Sequence, residues 1–257
     1  MLGSYHSHLM ASTLRLLTWD VKDTLLRLRR PVGEEYASQA RAHGLQLEPA
    51  ALSQAFHQAY KAQSQDYPNY GLSQGLSSRQ WWMEVVRRTF LLAGISDAAA
   101  TDPIANRLYR DFCRADTWEV VAGAAWTLQR CRERGLRLAV ISNFDRRLEE
   151  ILVHCGLRQH FEFVLTSEAA GWAKPDPRIF QEALRRARVS PAQAAHVGDH
   201  LLNDYQAARR AGMHSFLVTG SEPLSLGTGA VPSDHILPTL PHLLTVLDRL
   251  EGSNLSH

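Results

Sequence analysis

The fold of this chain can be built outward from residues 15–24, which read RLLTWDVKDT. Residues 15–19 are mostly aliphatic, β-branched or aromatic, which is typical of a short buried strand, and Asp20 follows at the end of that strand. Open parallel α/β sheets assemble their functional sites at the carboxyl ends of strands. The sequence therefore predicts a first strand at residues 15–19 and makes Asp20 the first candidate functional residue.

The next segment, from about Pro31 to Cys113, has a helical pattern without a convincing strand. A fourth helix is expected to begin at Asp102-Pro103, with the proline at its first position, and residues 67–78 are predicted to form a loop. The three helices before it are predicted at residues 32–43, at residues 50–64, and from the capping box Ser77-x-x-Gln80 onward. This pattern indicates an all-helical insertion after the first strand.

After Trp118 the pattern changes to an alternation of strands and helices. Strands are predicted at residues 138–141, 161–166, 194–197 and 215–219, and helices at residues 123–134, 146–155, 177–188, 201–211 and 240–250. Strands separated by helical segments predict βαβ units and a parallel sheet. We therefore expect a disordered tail at residues 1–13, a sheet core formed by residues 14–30 and 115–257, and a helical domain at residues 31–114.

The composition is that of an ordinary globular protein: 257 residues, 45% hydrophobic and 21% charged, with a net charge of +2. This charge favours neither nucleic acid nor a membrane surface as the main partner, and no apolar run reaches the roughly 18–20 residues of a spanning helix. Cys113, Cys131 and Cys155 are odd in number and widely spaced, as in reduced thiols. We expect a soluble intracellular protein of the cytoplasm; the mitochondrion, the nucleus and the oligomeric state stay open.

Three further polar motifs are placed at the ends of short apolar runs, as Asp20 is. They are Ser142-Asn143, Lys174-Pro175, and Gly198-Asp199 with Asn203-Asp204. Each alone is more typical of a turn or a cap. Four such motifs, in this order, are harder to explain as turns, and together they suggest one phosphate-handling site.

Phosphoryl transfer through a covalent intermediate needs a carboxylate nucleophile, a divalent cation, and donors and a cation for the phosphate oxygens. Asp20 fits the nucleophile and Asp199 a metal ligand, whereas Asp204 could hold metal-bound water or orient Lys174. The Ser142 hydroxyl and the Asn143 N–H can donate to phosphate, and Lys174 can neutralise charge. The residues thus fit the requirements of a phosphoryl-transfer site.

The ordered motifs resemble those of the haloacid dehalogenase-like hydrolase superfamily over all of the chain beyond the tail. The likeness is carried most clearly by WDVKDTL at residues 19–25 and ISNFD at residues 141–145, and the insertion resembles the cap of subfamily I. It implies an α/β fold, a Rossmann-like parallel sheet core with an inserted all-helical cap, and a Mg²⁺ cofactor. It also implies these roles: Asp20 as nucleophile, Ser142 and Lys174 on the phosphate, Thr24 and Asn143 at the substrate, and Asp20, Lys22, Asp199 and Asp204 at the metal.

Lys22 departs from the family pattern, since family phosphatases carry an aspartate there that protonates the leaving alcohol and activates water. A lysine of ordinary pKa is no base near pH 7, and losing such help costs about 10²–10⁴ in rate. Its backbone carbonyl could still serve Mg²⁺, or its ammonium could pair with Asp20 and displace the cation. Asp23 is adjacent, but in an extended backbone its side chain would point the other way.

Three functions therefore stay open. The first is a phosphatase weakened by Lys22, which would handle acyl or aryl phosphates best because a good leaving group needs less protonation. The second is a non-catalytic module that binds a phosphorylated ligand or a protein. The third is true dehalogenation, which Lys22 permits but which is disfavoured because Val197-Gly198-Asp199 stands where dehalogenases carry Ser-Ser-Asn.

Overall fold

The computed structural model describes residues 14–220 and 231–254, so the predicted tail at residues 1–13 lies outside the described residues. The chain divides into two compact units. The sheet unit comprises the described residues of Met1–Arg27, Val120–Asn143 and Leu157–His257, and the helical unit comprises Leu28–Glu119 and Phe144–Gly156. The predicted domain boundaries placed residues 144–156 in the core, whereas this division assigns them to the helical unit.

Six parallel strands form the sheet, and this confirms the predicted α/β class. The described residues contain eight strands, six in this sheet and two in a separate pair: β1 (Leu16–Trp19), β2 (Leu26–Leu28), β3 (Trp118–Val120), β4 (Arg137–Ser142), β5 (Phe163–Thr166), β6 (Ala194–Gly198), β7 (His214–Val218) and β8 (Ile236–Leu237). The order in the large sheet is β5-β4-β1-β6-β7-β8, while β2 and β3 form a separate pair. The order reverses at β1, whose neighbours are β4 and β6, and such a switch point is where open α/β sheets bind ligands.

Helices of both units follow the sequence pattern closely. They are α1 (Val32–Ala42), α2 (Pro49–Asp66), α3 (Pro68–Gly71), α4 (Ser78–Leu92), α5 (Ala98–Asp111), α6 (Ala124–Glu133), α7 (Leu148–His154), α8 (Ser167–Ala170), α9 (Pro177–Ala187), α10 (Ala207–Arg210) and α11 (His242–Asn254). Residues 201–206, predicted as the start of one helix, instead form a wider π-type turn before α10. Among the described residues, no helix is long and apolar enough to cross a bilayer.

The core of the sheet unit is packed around α9. This helix repeats apolar residues at three- and four-residue intervals and buries them together, with Phe180 and Ile179 fully inside. They belong to one cluster with Leu16 of β1, Ile141 of β4 and Leu165 of β5. The strands that carry candidate residues are therefore held in place by one apolar cluster that they share with α9.

The helical unit has its own core. Tyr36 of α1 and Phe90 of α4 stack with their ring centroids 6.1 Å apart, and Leu52 and Ile104 are buried in the same cluster. The predicted capping box is confirmed: the Gln80 N–H donates to the Ser77 hydroxyl, and the Ser77 N–H donates to the Gln80 side chain. This unit folds around hydrophobic contacts that involve no candidate site residue.

One prediction in the helical region, the start of the fourth helix, is wrong. Helix α5 begins at Ala98, where Asp97 caps the Ala99 N–H, and Pro103 lies inside the helix. The Asp97 cap and the three alanines after it stabilise a helix that begins at Ala98. Their contribution outweighs the hydrogen bond that is lost because Pro103 has no N–H. The predicted loop at residues 67–78 contains the turn α3, in which Asn69 and Tyr70 adopt positive φ values of 45° and 64°. Asparagine adopts positive φ more readily than most residues, whereas tyrosine gives no such signal.

Candidate active site

The nucleophile candidate lies at the centre of the sheet's carboxyl edge. Asp20 follows β1, and its N–H donates to the Val197 carbonyl of β6 at 2.9 Å. On the other side, Trp19 pairs with Val140 of β4, so the end of β1 lies beside Ser142, which is 1% exposed. The parallel register thus brings together the ends of β1, β4 and β6, which carry Asp20, Ser142 and Gly198-Asp199.

Lys174 is buried among the acidic groups and uses all three of its ammonium protons. Its Nζ donates to Asp20 Oδ1 at 2.7 Å, to Asp204 Oδ1 at 2.5 Å and to the Ile141 carbonyl at 2.9 Å. Burial alone would lower the pKa of Lys174, but the two carboxylates raise it above the ordinary value. Lys174 is therefore a buried cation paired with two carboxylates, and its predicted contact with phosphate stays a prediction.

Asn143 holds the backbone of Lys174 through two hydrogen bonds. Its Nδ2 donates to the Lys174 carbonyl at 2.8 Å, and the Lys174 N–H donates to Asn143 Oδ1 at 2.7 Å. These reciprocal bonds connect the end of β4 to the loop before α9. The Asn143 side chain thus positions Lys174, whereas its predicted contact with substrate stays a prediction.

Three carboxylates face one another at this edge. One oxygen from each of Asp20, Asp199 and Asp204 lies within 4.8 Å of the others. Burial, together with the nearby Asp20 charge, raises the pKa of Asp199 to about 6. Burial also raises the pKa of Asp20, opposed by Lys174 and supported by Asp204. Three carboxylates so close together give this edge of the sheet an excess of negative charge when they are ionised.

Thr24 contacts one of these acids. It is fully buried, and its hydroxyl donates to Asp199 Oδ1 at 2.9 Å. The hydrogen bond lowers the pKa of Asp199 against the larger effect of burial. Thr24 therefore orients a candidate metal ligand, and its predicted role in substrate binding stays a prediction.

Asp204 is held from several sides, which favours the orienting role considered for it. Besides accepting from Lys174, its Oδ2 accepts from the His200 N–H at 3.0 Å, and His196 Nε2 lies 3.0 Å from its Oδ1. Although burial would raise the pKa of Asp204, Lys174 and the His196 hydrogen bond lower it. Gly198 is needed here because a Cβ would come within 2.6 Å of the Asp204 Cβ and closer still to its carboxylate.

His196 and Thr18 are site residues that the sequence reasoning missed. His196 is fully buried, which lowers its pKa, and its Nδ1 lies 2.8 Å from the Thr18 hydroxyl. A neutral imidazole fits both contacts, with Nδ1 accepting from Thr18 and Nε2–H donating to Asp204. A signal was present: both are polar residues inside buried strands, at paired positions of β1 and β6.

Lys22 does not contact the nucleophile. Its Nζ pairs with the Asp23 carboxylate, and both side chains are about half exposed, at 52% and 50%. The Asp23 backbone has a φ of 64°, so the condition of an extended backbone is not met at this position. Lys22 and Asp23 therefore neutralise each other, while the counter-ion of Asp20 is Lys174.

The donor set fits a divalent cation. Mg²⁺ prefers carboxylate and other oxygen ligands, which Asp20, Asp199 and Asp204 supply. When all are ionised, three negative charges and the single positive charge of Lys174 leave a net charge of −2, which one such ion would balance. The site could thus bind a cation, present a carboxylate to an electrophile and neutralise charge through a buried ammonium.

Comparison with known proteins agrees with the predicted family. A family model described as haloacid dehalogenase-like hydrolase matches residues 14–212. The human haloacid dehalogenase-like hydrolase domain-containing protein 3 is 66% identical over 241 residues, covering 93% of this chain and 96% of that protein.

Solved structures of low sequence identity share the fold. A 2-haloacid dehalogenase from Pseudomonas syringae has a TM-score of 0.67 at 24% identity, covering 92% of this chain and 99% of that chain. The HAD-hydrolase YfnB from Bacillus subtilis, solved bound to magnesium, has a TM-score of 0.70 at 16% identity, covering 92% of this chain and all of its own.

Proposed function

This chain belongs to the haloacid dehalogenase-like hydrolase family, and on that premise we propose that it is a magnesium-dependent hydrolase of a small phosphorylated molecule. The observation that carries the proposal is the grouping of Asp20, Asp199 and Asp204 within 4.8 Å around the buried Lys174. Hydrolysis of a phosphate ester at a carboxylate needs this combination of nucleophile, oxygen ligands and fixed cation.

In the proposed reaction an Asp20 carboxylate oxygen attacks phosphorus and the bond to the leaving oxygen breaks, which gives an aspartyl-phosphate. Water then attacks the phosphorus, releases inorganic phosphate and restores the carboxylate. Lys174 fixes Asp20 Oδ1 at 2.7 Å and balances charge, while Ser142 and the Asn143 N–H would donate to the phosphate oxygens. Every one of these groups lies at the carboxyl edge of β1 or β4 or is held there by Asn143.

Asp20, Asp199 and the backbone carbonyl of Lys22 would hold Mg²⁺, with Asp204 serving the same site. When bound, the ion would neutralise the acidic cluster and polarise a phosphoryl oxygen. Thr24 supports this arrangement because its hydroxyl holds Asp199 Oδ1 at 2.9 Å. The proposal does not need the Lys22 side chain at the ion, since that side chain is engaged by Asp23.

Lys22 sets the expected substrate range. Its ammonium has three donors and no acceptor, and it pairs with Asp23, the neighbouring carboxylate. A leaving group that departs without protonation suffers least from this loss. Aryl and acyl phosphates are therefore the proposed substrates, and alkyl phosphates are expected to react slowly.

One observation favours a second candidate, a non-catalytic module that binds a phosphorylated ligand or a protein. The ammonium of Lys22 and the carboxylate of Asp23 neutralise each other in the position where the family's acid–base aspartate stands. The residues proposed to bind phosphate, Ser142, Asn143 and Lys174, do not depend on that position. Binding could therefore persist without turnover.

The deciding experiment compares wild type, Asp20→Asn, Lys22→Asp and the control Lys61→Asp on p-nitrophenyl phosphate, with and without Mg²⁺. Lys61→Asp makes the same charge change on α2, outside the sheet unit. The proposal expects magnesium-dependent turnover by wild type and by the control, and none by Asp20→Asn. With an alkyl phosphate, Lys22→Asp should exceed wild type by about 10²–10⁴.

Other outcomes separate the alternatives. A silent wild type with an active Lys22→Asp variant would favour the binding module. If neither protein turns over an aryl phosphate, and calorimetry finds no Mg²⁺ binding to either, the acidic cluster is not a metal site and the proposal is rejected.

A further inference from the structure

A buried ion pair in the helical unit has no part in the proposed reaction, although it comes directly after the Ser142-Asn143 motif in the chain. Asp145 is 0% exposed and Arg147 is 8% exposed. Arg147 Nε donates to Asp145 Oδ1 at 2.9 Å, and its Nη2 donates to Oδ2 at 2.6 Å. Buried bidentate pairs are geometrically specific, so this one fixes the position of Asp145.

Aromatic side chains complete the surroundings of the pair. The Arg147 guanidinium lies 4.0 Å from the ring centroid of Tyr109 and 5.4 Å from that of Trp82, and its Nη1 donates to the Tyr109 carbonyl at 3.0 Å. Trp82 Nε1 donates to Asp145 Oδ2 at 2.7 Å. The Asp145 carboxylate therefore accepts from the arginine side chain, from the Arg147 N–H at 2.9 Å and from an indole of α4.

Asp145 is covalently close to the phosphate motif. Only Phe144 separates it from Asn143, so an extended chain allows about 7 Å between the two Cα atoms. Asn143 in turn holds the Lys174 backbone by bonds of 2.7 and 2.8 Å, and Lys174 contacts Asp20. Asp145 is therefore two residues along the chain from Asn143, which holds the backbone of the buried lysine.

We propose that Asp145 and Trp82 are positioning residues for the phosphate site. Trp82 fixes Asp145, Asp145 restrains the segment that carries Asn143, and Asn143 places Lys174 beside the nucleophile. The positioning of Lys174 by Trp82 and Asp145 is argued from contacts alone, whereas the effect of these residues on turnover rests on the proposed function.

A purely stabilising role is the competing explanation, because breaking a buried ion pair destabilises a protein. The test therefore leaves the ion pair intact and removes one hydrogen bond. Trp82→Phe keeps an aromatic ring and deletes the N–H donor to Asp145. Trp81→Phe is a matched control: Trp81 is the next residue of α4, its Nε1 donates to the Tyr67 carbonyl at 2.9 Å, and the two indole centroids are 5.0 Å apart.

The first readout is the ¹H–¹⁵N correlation spectrum of the full chain. In Trp82→Phe, the backbone amide of Lys174 and the side-chain amide of Asn143 are expected to shift, because their hydrogen bond changes geometry. In Trp81→Phe both signals should stay at their wild-type positions, although thermal unfolding is lowered to a similar extent. Equal shifts in the two variants, or no shift in either, would overturn the inference.

The second readout is turnover of p-nitrophenyl phosphate with Mg²⁺. Trp82→Phe is expected to lower kcat by about tenfold with little change in KM, because misplaced groups cost rate in the transition state, and Trp81→Phe should leave kcat near wild type. Equal kcat values in the two variants would refute the functional part. A wild type without turnover would reject the proposed function instead, while the amide shifts would still decide the positioning role.

Discussion

Replacing Lys174 by methionine tests how strongly the buried ammonium supports the acidic cluster. Methionine keeps most of the length and the apolar stem but removes the charge and the three donors. Lys174 is 4% exposed, and it bonds Asp20 and Asp204 at 2.7 and 2.5 Å. The variant would therefore leave two buried carboxylates facing each other without their shared cation.

The magnitude follows from the geometry. At an effective dielectric constant of 20, unit charges 2.7 Å apart attract by about 6 kcal/mol, and the desolvation of the ammonium offsets part of this. Removing one partner of a buried pair typically costs about 3–5 kcal/mol. At about 2–4 °C per kcal/mol for a chain of this size, Tm should fall by about 6–20 °C.

Lys22→Met is the matched control, since it removes an ammonium that pairs with an aspartate at the surface. The Lys22 side chain is 52% exposed, so this pair should contribute about 0–1 kcal/mol. Both variants and wild type are compared by urea unfolding and by thermal unfolding without divalent cations. If Lys174→Met loses no more stability than Lys22→Met, the buried carboxylates do not depend on the ammonium and the reasoning is refuted.

Two further predictions follow from the same contacts. Gly198→Ala should lower stability and abolish Mg²⁺ binding in calorimetry, because the new methyl group would displace the Asp204 carboxylate; unchanged binding would show that the turn yields instead. Burial raises the pKa of the Cys113 thiol to about 11, so at pH 7 it is almost wholly protonated and should react slowly with iodoacetamide. Its rate should rise about tenfold per pH unit up to that pKa, and a plateau near pH 9 would contradict the shift.

Much of the fold follows from local patterns in the sequence. The apolar runs of β1, β4 and β6 and the helical periodicity between them predict parallel strands, and parallel strands align their carboxyl ends. That rule predicts that Asp20, Ser142 and Asp199 lie at the same edge of the sheet. The capping box at Ser77 likewise fixes the start of α4, because its atoms lie within one turn.

Sequence and structure differ where local signals compete. Pro103 is a strong signal for the first turn of a helix, whereas the Asp97 cap and the alanines after it set the start of α5 at Ala98. At Asp23 the positive φ depends on the turn closed by the Asp23 N–H and the Leu26 carbonyl, which the residue type alone does not indicate.

The sequence by itself determined that Asp20, Ser142 and Asp199 lie at the ends of apolar strands, because the pattern of a strand is a local property of the chain. Only the tertiary structure decided which of them are partners. Lys174 contacts Asp20 across 154 positions of sequence, and the Lys22 ammonium turns to Asp23. His196 became a site residue because β1 and β6 pair in a register that places Thr18 opposite it. Such pairings depend on packing between segments far apart in the chain, and no short-range pattern encodes them.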